Sequence, residues 1–150
     1  MGDEVVRARA EKLEVFDFPD TPWTDPGPLA ESRVAIVTTA GLRADGGHGW
    51  APGDQGFVVL PGDRRDLTLG HTSQNFDRTA VLEDLNVVYP LDRLAELAER
   101  GVIGSVATNH LAFMGAQRDH TLTTLRTDSG PAAAELLRRD GVDVVLLTPV

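Results

Sequence analysis

Residues 33–39 (RVAIVTT) and 142–147 (VDVVLL) are short, β-branched and almost continuously apolar. A strand with one wet face alternates apolar and polar residues, whereas an unbroken run belongs to a strand covered on both faces, as in a parallel sheet packed between helices. Two such runs with helical segments between them point to an α/β layered domain. At 150 residues the chain suits one domain, and folding at that size buries roughly 68–70% of the unfolded surface.

The intervening segments fill in this frame. Residues 4–15 carry Val5, Ala8 and Leu13 at helical spacing, and residues 16–31 hold four prolines, which predicts a short outer helix followed by an extended arm. Phe16, Phe18 and Trp23 make the arm a surface-bound segment and not a free linker. Residues 57–60 (FVVL) and 66–69 (DLTL) flank Pro61-Gly62-Asp63 and read as a hairpin. In LDRLAELAERG, Leu91, Leu94, Ala95, Leu97 and Ala98 share one helical face, with Gly101 as the stop. Residues 103–107 read as a short strand, and TNHLAFMGAQ after them as a loop or helical turn. Ser129-Gly130-Pro131 reads as a cap with an early proline opening the last helix, which Gly141 closes. The segment 142–147 is then expected as a buried strand.

Four stretches concentrate polar side chains. TTAGLRADGGHGW follows the first strand run, where α/β proteins place ligands; it lacks the GxxxxGK[ST] and GxGxxG patterns. It is either a mobile surface loop or a substrate loop offering backbone N–H groups, Thr38, Thr39 and His48. GHTSQNFDR packs His71, Ser73, Asn75, Asp77 and Arg78 together, and a histidine there is a base, a metal ligand or a hydrogen-bonded structural residue. Asp84 and Asn86, two apart, either hold a substrate amine or serve a turn. Thr108, Asn109 and His110 beside Phe113 and Met114 have the make-up of a pocket lining. A metal site built from His71, His110, Asp77 and Asp84 lacks the HxH or HxxxH pairs that would support it, so no metal is assigned.

The formal net charge of -9 repels phosphate backbones, which disfavours nucleic acid as a partner. No apolar run approaches the roughly 18 residues of a membrane helix and the first residues are charged, so no membrane partner is expected and the cytoplasm is the expected compartment. Cysteine is absent, which removes disulfides and thiolate chemistry from the residues shown.

SRVAIVTTAGLRADGGHGW, GHTSQNFDR, DLNVVYPLDRLAELAERGVIGSVATNHLAFMG and DGVDVVLLTPV occur in an order that resembles the glycine/sarcosine/betaine/D-proline reductase family of selenoprotein B type. The resemblance spans residues 22–150, leaving 1–21 as an N-terminal helix and the start of the arm. It implies a Rossmann-like α/β domain with a mainly parallel sheet. In that family the strand ending in LLTPV is followed at once by a selenocysteine or cysteine, then two residues, then a cysteine. The resemblance therefore implies that the catalytic chalcogen is expected immediately after Val150, that no catalytic residue lies within the chain, and that the domain is truncated at its C-terminus, with UGA as the expected next codon. A chalcogen at a strand end and helix N-terminus meets N–H dipoles that favour its anion.

By the same resemblance the activity is reductive C–N cleavage of an amino acid or N-methylated amine of the glycine, sarcosine, betaine or D-proline class. The implied cofactors are selenocysteine after Val150 and a pyruvoyl group on a partner subunit, with dithiols for re-reduction. The implied partners are a small amine or amino-acid substrate and either a partner reductase subunit or further copies of the chain. The substrate-binding positions carried over are Thr38, Thr39, Gly41, His71, Asp77, Asp84, Asn86, His110 and Met114; His71 and His110 are expected in a pocket, and Asp84 beside a cationic amine. The alternatives are a non-catalytic small-molecule-binding or regulatory domain derived from that family, and a metal-assisted hydrolase using His71 and His110. A strand without its following helix also predicts a partly bare sheet face.

Overall fold

A computed structural model of the chain describes residues 4–5, 7–8, 11, 24–44, 49–117 and 121–150. Most of the expected N-terminal helix, residues 16–23 of the arm, and His48 lie outside these. Glu4, Val5, Arg7 and Ala8 are helical and exposed, and the arm ends in a 3-10 turn, Leu29–Glu31. The elements that follow are β1 (Arg33–Thr38), β2 (Leu42–Ala44), β3 (Phe57–Pro61), β4 (Leu67–Leu69), α1 (Thr79–Glu83), α2 (Leu91–Glu99), β5 (Ser105–Val106), β6 (Asn109–Phe113), α3 (Thr121–Thr124), α4 (Gly130–Arg139) and β7 (Val144–Thr148). The chain is mixed α/β with a mostly parallel sheet. Among the described residues no helix is long and apolar enough to cross a membrane.

Because successive side chains leave a strand on opposite faces, β1 feeds two cores. Val34 and Ile36 pack with Val88, Tyr89, Leu91 and Leu94, on the side of α2. Ala35 and Val37 pack with Leu111, Ala133 and Leu137, on the side of α4. The helices form as their spacing dictates: Leu91 and Leu94 are the buried residues of α2, and Ala133 and Leu137 those of α4. Gly101 and Gly141 end them with φ of +69° and +70°, a conformation glycine adopts without a Cβ penalty.

β1 runs parallel to β5, β6 and β7, and β3 lies antiparallel against β6. β7 occupies one whole edge of β1, from Val34 to Thr38, so β5 and β6 share the other. Between the pairs Val34–Val106 and Val37–Leu111, β1 advances three residues and its partner five. The surplus residues bulge, and there the Ile36 N–H donates to Nδ1 of the buried His110 at 2.9 Å. An imidazole thus stands in the ladder where a carbonyl would.

Several expectations need correction. Residues 57–60 and 66–69 do not form a hairpin: β3 pairs with β6, and β4 with β2. TNHLAFMG is not a loop or helical turn but contains β6, because its Leu111 and Phe113 face one core and Ala112 the other. Ser129 makes no side-chain cap; the helix enters from α3 through a π-type stretch, Leu125–Ser129. Pro131 cannot donate backward and its ring crowds the preceding turn, which a wider turn relieves. The last strand is not buried: among the described residues β7 pairs only with β1, and Val145, Leu146 and Leu147 are 38%, 38% and 66% exposed.

Asp140 closes the opposite end of the sheet. Its carboxylate accepts from Arg33 Nη2 and from the Asn109 N–H, both at 3.0 Å, and Arg33 Nη2 also donates to Thr108 Oγ1 at 2.6 Å. Removing a half-buried acceptor strands its donors, so Asp140→Ala is expected to cost about 2 kcal/mol in urea unfolding. Asp140→Asn should recover part of that loss. A change within about 0.5 kcal/mol would place the pair among exposed ion pairs of little weight.

Candidate functional site

The C-terminal ends of β1, β6 and β7 converge, and side-chain hydroxyls stitch them together. Thr38 is fully buried; its hydroxyl accepts from the Ala40 N–H at 3.2 Å and donates to the Thr148 carbonyl at 3.4 Å. The Thr39 hydroxyl accepts from the Val150 N–H at 2.9 Å and donates to the Val150 carbonyl at 3.2 Å. Thr148 Oγ1 donates to the Val88 carbonyl at 2.8 Å. These threonines fix where the chain runs after β7.

Gly41 adopts φ +63°, and its N–H donates to the Phe113 carbonyl at 2.9 Å. A Cβ there would stand 3.2 Å from the backbone nitrogen of His71, so the bare Cα lets the His71 loop close over the strand ends. His71 is only 6% exposed. Its Nδ1 accepts from the Ser73 N–H at 3.2 Å, and its ring lies 4.4 Å from that of Phe76 at 30°. Since Nδ1 accepts, the neutral ring carries its proton on Nε2. That Nε2 is buried and has no hydrogen-bond partner among the described residues.

Gly115 shows what Nε2 faces. A Cβ built there would lie 2.8 Å from His71 Nε2, 2.8 Å from the Thr39 carbonyl oxygen and 2.9 Å from the Val150 carbonyl oxygen. One bare Cα is thus ringed by an imidazole donor and the carbonyls at the ends of two strands. Ala116 follows with φ +56°, in the left-handed region, where a non-glycine residue stores strain often found beside functional sites. A cleft of about 370 Å³ opens between the His71 loop (with Ser73, Asn75, Phe76 and Asp77), Ala116 and Val150.

Burial first, and then the Arg78 cation, hold His71 below the usual histidine value. It is therefore neutral near pH 7, and because its one lone-pair nitrogen, Nδ1, is taken by the Ser73 N–H, it presents Nε2–H to the cleft as a donor. Asp77 lies at the mouth, where its Oδ1 accepts from the Thr79 N–H at 2.9 Å; those hydrogen bonds keep its carboxyl below the ordinary range.

The sequence-predicted residues divide. Thr38, Thr39, Gly41, His71 and Asp77 gather around the strand ends. Met114, 1% exposed, is packed beneath them and accepts from Thr72 Oγ1 at 3.7 Å. Asp84 and Asn86 are elsewhere. Asp84 Oδ1 accepts from the backbone N–H and Nδ2 of Asn86, both at 2.9 Å, and Asn86 also bonds Asp92 through Nδ2 and Oδ1. This closed network joins the 3-10 turn Leu85–Val87 to α2 and is turn chemistry, with no carboxylate turned toward the cleft.

His110 is fully buried and is not among the residues that line the His71 cleft. It sits edge-on to Tyr89, ring centroids 5.5 Å apart, and burial foremost pushes its pKa down to about 4. The expectation of His71 and His110 in one pocket is corrected: one faces the cleft and the other completes the ladder. Among the described residues no three His, Asp or Glu side chains gather into a group able to hold a metal. Sequence reasoning missed Gly115 and Ala116, whose importance comes from close approach and backbone conformation and not from side-chain chemistry.

Residues 67–150, which include the His71 loop, Gly115 and β7, match the family model of glycine/sarcosine/betaine reductase selenoprotein B. The chain is 34% identical over 149 residues to the D-proline reductase subunit gamma of Acetoanaerobium sticklandii, covering 96% of this chain and 60% of that protein. It is 28% identical over 157 residues to the sarcosine reductase complex component B subunit beta of Peptoclostridium acidaminophilum, covering 96% of this chain and 35% of that protein. No solved structure matches the chain.

Proposed function

Because this chain belongs to the glycine/sarcosine/betaine reductase selenoprotein B family, we propose that it forms the substrate-facing α/β portion of a reductase subunit cleaving a C–N bond in a small amino acid or N-methylated amine. The chain spans 60% and 35% of the two relatives it matches, so the activity belongs to the assembled reductase. The reaction takes up two electrons and two protons and replaces C–N by C–H; the amine leaves as a separate molecule, or stays tethered where the bond broken lies in a ring.

The observation that carries the reading is the buried, unpartnered His71 Nε2 beside the Val150 carbonyl over Gly115. The resemblance expects a selenocysteine or cysteine next after Val150, and a donor with no acceptor among the described residues, at that strand end, fits an anionic chalcogen. Such a group supplies the nucleophile that a chain without cysteine lacks. His71 Nε2–H donates to anionic charge at the cleft, Thr39 holds the backbone of Val150 in place, and Phe76 shields the imidazole from water. Ser73, Asn75 and Asp77 at the mouth offer polar contacts to a zwitterionic substrate. The implied pyruvoyl group resides on a partner subunit, and no residue here is assigned to it.

The test is turnover by the full-length subunit in its reductase complex, supplied with a dithiol and glycine, sarcosine, betaine or D-proline in turn. Reduction of one of the four is expected, and His71→Ala should lower kcat by about 10²–10³-fold, the usual effect of deleting one donor to developing charge. An intact complex that reduces none of the four, or a His71→Ala complex with unaltered kcat, overturns the reading.

A further inference from the structure

Arg78 makes an arrangement that the reading above does not use. Its Nη2 donates to the carbonyl oxygens of His71 at 2.7 Å and Ser73 at 3.0 Å, and its Nη1 to that of Phe76 at 3.0 Å. Three carbonyls from one six-residue loop aimed at a single point repel one another unless a cation sits there. A guanidinium answers them because its donors are spread in a rigid plane, whereas an ammonium is a point charge. The guanidinium carbon also lies 5.8 Å from the centre of the Phe76 ring, and that ring is the one stacked on His71.

We propose that Arg78 is the positioning residue of this site: by gathering the carbonyls of His71, Ser73 and Phe76 it sets the His71 ring with Nδ1 on the Ser73 N–H and Nε2 turned toward Gly115 and Val150. The inference rests on the reading that this cleft engages anionic charge, but the geometry of the ring is its own. Without Arg78 the loop loses the centre of its folded form. Nothing then keeps the Ser73 N–H on Nδ1, and the imidazole samples both tautomers. The Asp77 carboxylate on the same loop does not replace the guanidinium, since it is an acceptor engaged with Thr79.

Long-range proton–nitrogen correlation spectra of the histidine rings in the full chain read this directly, with His71→Gln used to assign the signals. The wild-type protein is expected to show His71 as a single Nε2–H tautomer. Arg78→Gln should show both tautomers in exchange and raise the His71 pKa as the neighbouring cation is removed, burial still holding it below the usual value. Arg78→Lys, which keeps the charge without the fork, should mix the tautomers while moving the pKa little.

The His110 ring, held by the Ile36 N–H, reports whether the fold survives. If Arg78→Gln disturbs His110, the tautomer state in Arg78→Lys decides. A single Nε2–H tautomer in a folded Arg78 variant overturns the proposal. If the tautomers mix as expected while His71→Ala turns over normally in the complex, the functional reading fails and the positioning role stands.

Discussion

Gly115→Ala is expected to destabilise the protein by about 3 kcal/mol, the upper end of what overpacking costs, and to break the cleft geometry. Two of the three atoms the new methyl group would meet are backbone oxygens, of Thr39 and Val150, at 2.8 and 2.9 Å. Backbone at the ends of two hydrogen-bonded strands cannot swing aside as a flexible side chain does. The third atom, His71 Nε2 at 2.8 Å, can retreat only by leaving Phe76 and the Ser73 N–H. Urea unfolding gives the energy, and the His71 ring signals give the displacement. A variant within about 0.5 kcal/mol of wild type, with His71 unmoved, would show that the strand ends have slack.

Acid should remove a comparable amount of stability through His110. Its pKa is about 4 in the folded protein, against roughly 6.5 for an unperturbed histidine in the unfolded chain. Above pH 6.5 neither state is protonated and stability is complete. Below it the unfolded chain takes up the proton first, and stability falls until the pH passes about 4. The difference corresponds to roughly 3 kcal/mol. His71, also lowered, adds to the loss in the same direction.

Asp66, Asp77, Asp84 and Asp92 are all held below the usual carboxylate value, so they titrate beneath most of this window. Urea unfolding at pH 7 and pH 4.5 spans the histidine window, and the same pair of measurements on a His110 variant separates its share. His110→Leu should flatten much of the slope, at a cost of about 1–3 kcal/mol at pH 7 for the stranded Ile36 N–H. Equal stability of the wild type at the two pH values would contradict the assignment.

What the sequence made legible follows from how local each signal is. α2 and α4 announce themselves by spacing and a glycine stop, and β1 by an apolar run, because each pattern lies within about ten residues. β6 was hidden because its two inward faces serve different cores, which erases alternation. The choice of partner for β3 and β4 was hidden as well, since neighbours in sequence need not be neighbours in a sheet. The apolar character of 142–147 correctly gave a strand, yet composition does not report whether a second neighbour exists. His71 was visible as part of a polar cluster. The role of His110 depends on a backbone N–H 74 positions earlier, and that of Gly115 on oxygens brought in by two other strands. Neither leaves a local mark.

The sheet's connectivity also governs the order in which the fold is made. Residues of β1 pair with residues about 110 positions later in β7, and its other edge waits for β5 and β6. On a ribosome the nascent β1 therefore emerges long before either neighbour exists, with an apolar segment that has no helix to cover it. Such distant pairings close slowly, and an exposed apolar strand in the interval invites capture by other chains. Expression yield should accordingly depend on chaperone supply more than the protein's equilibrium stability suggests.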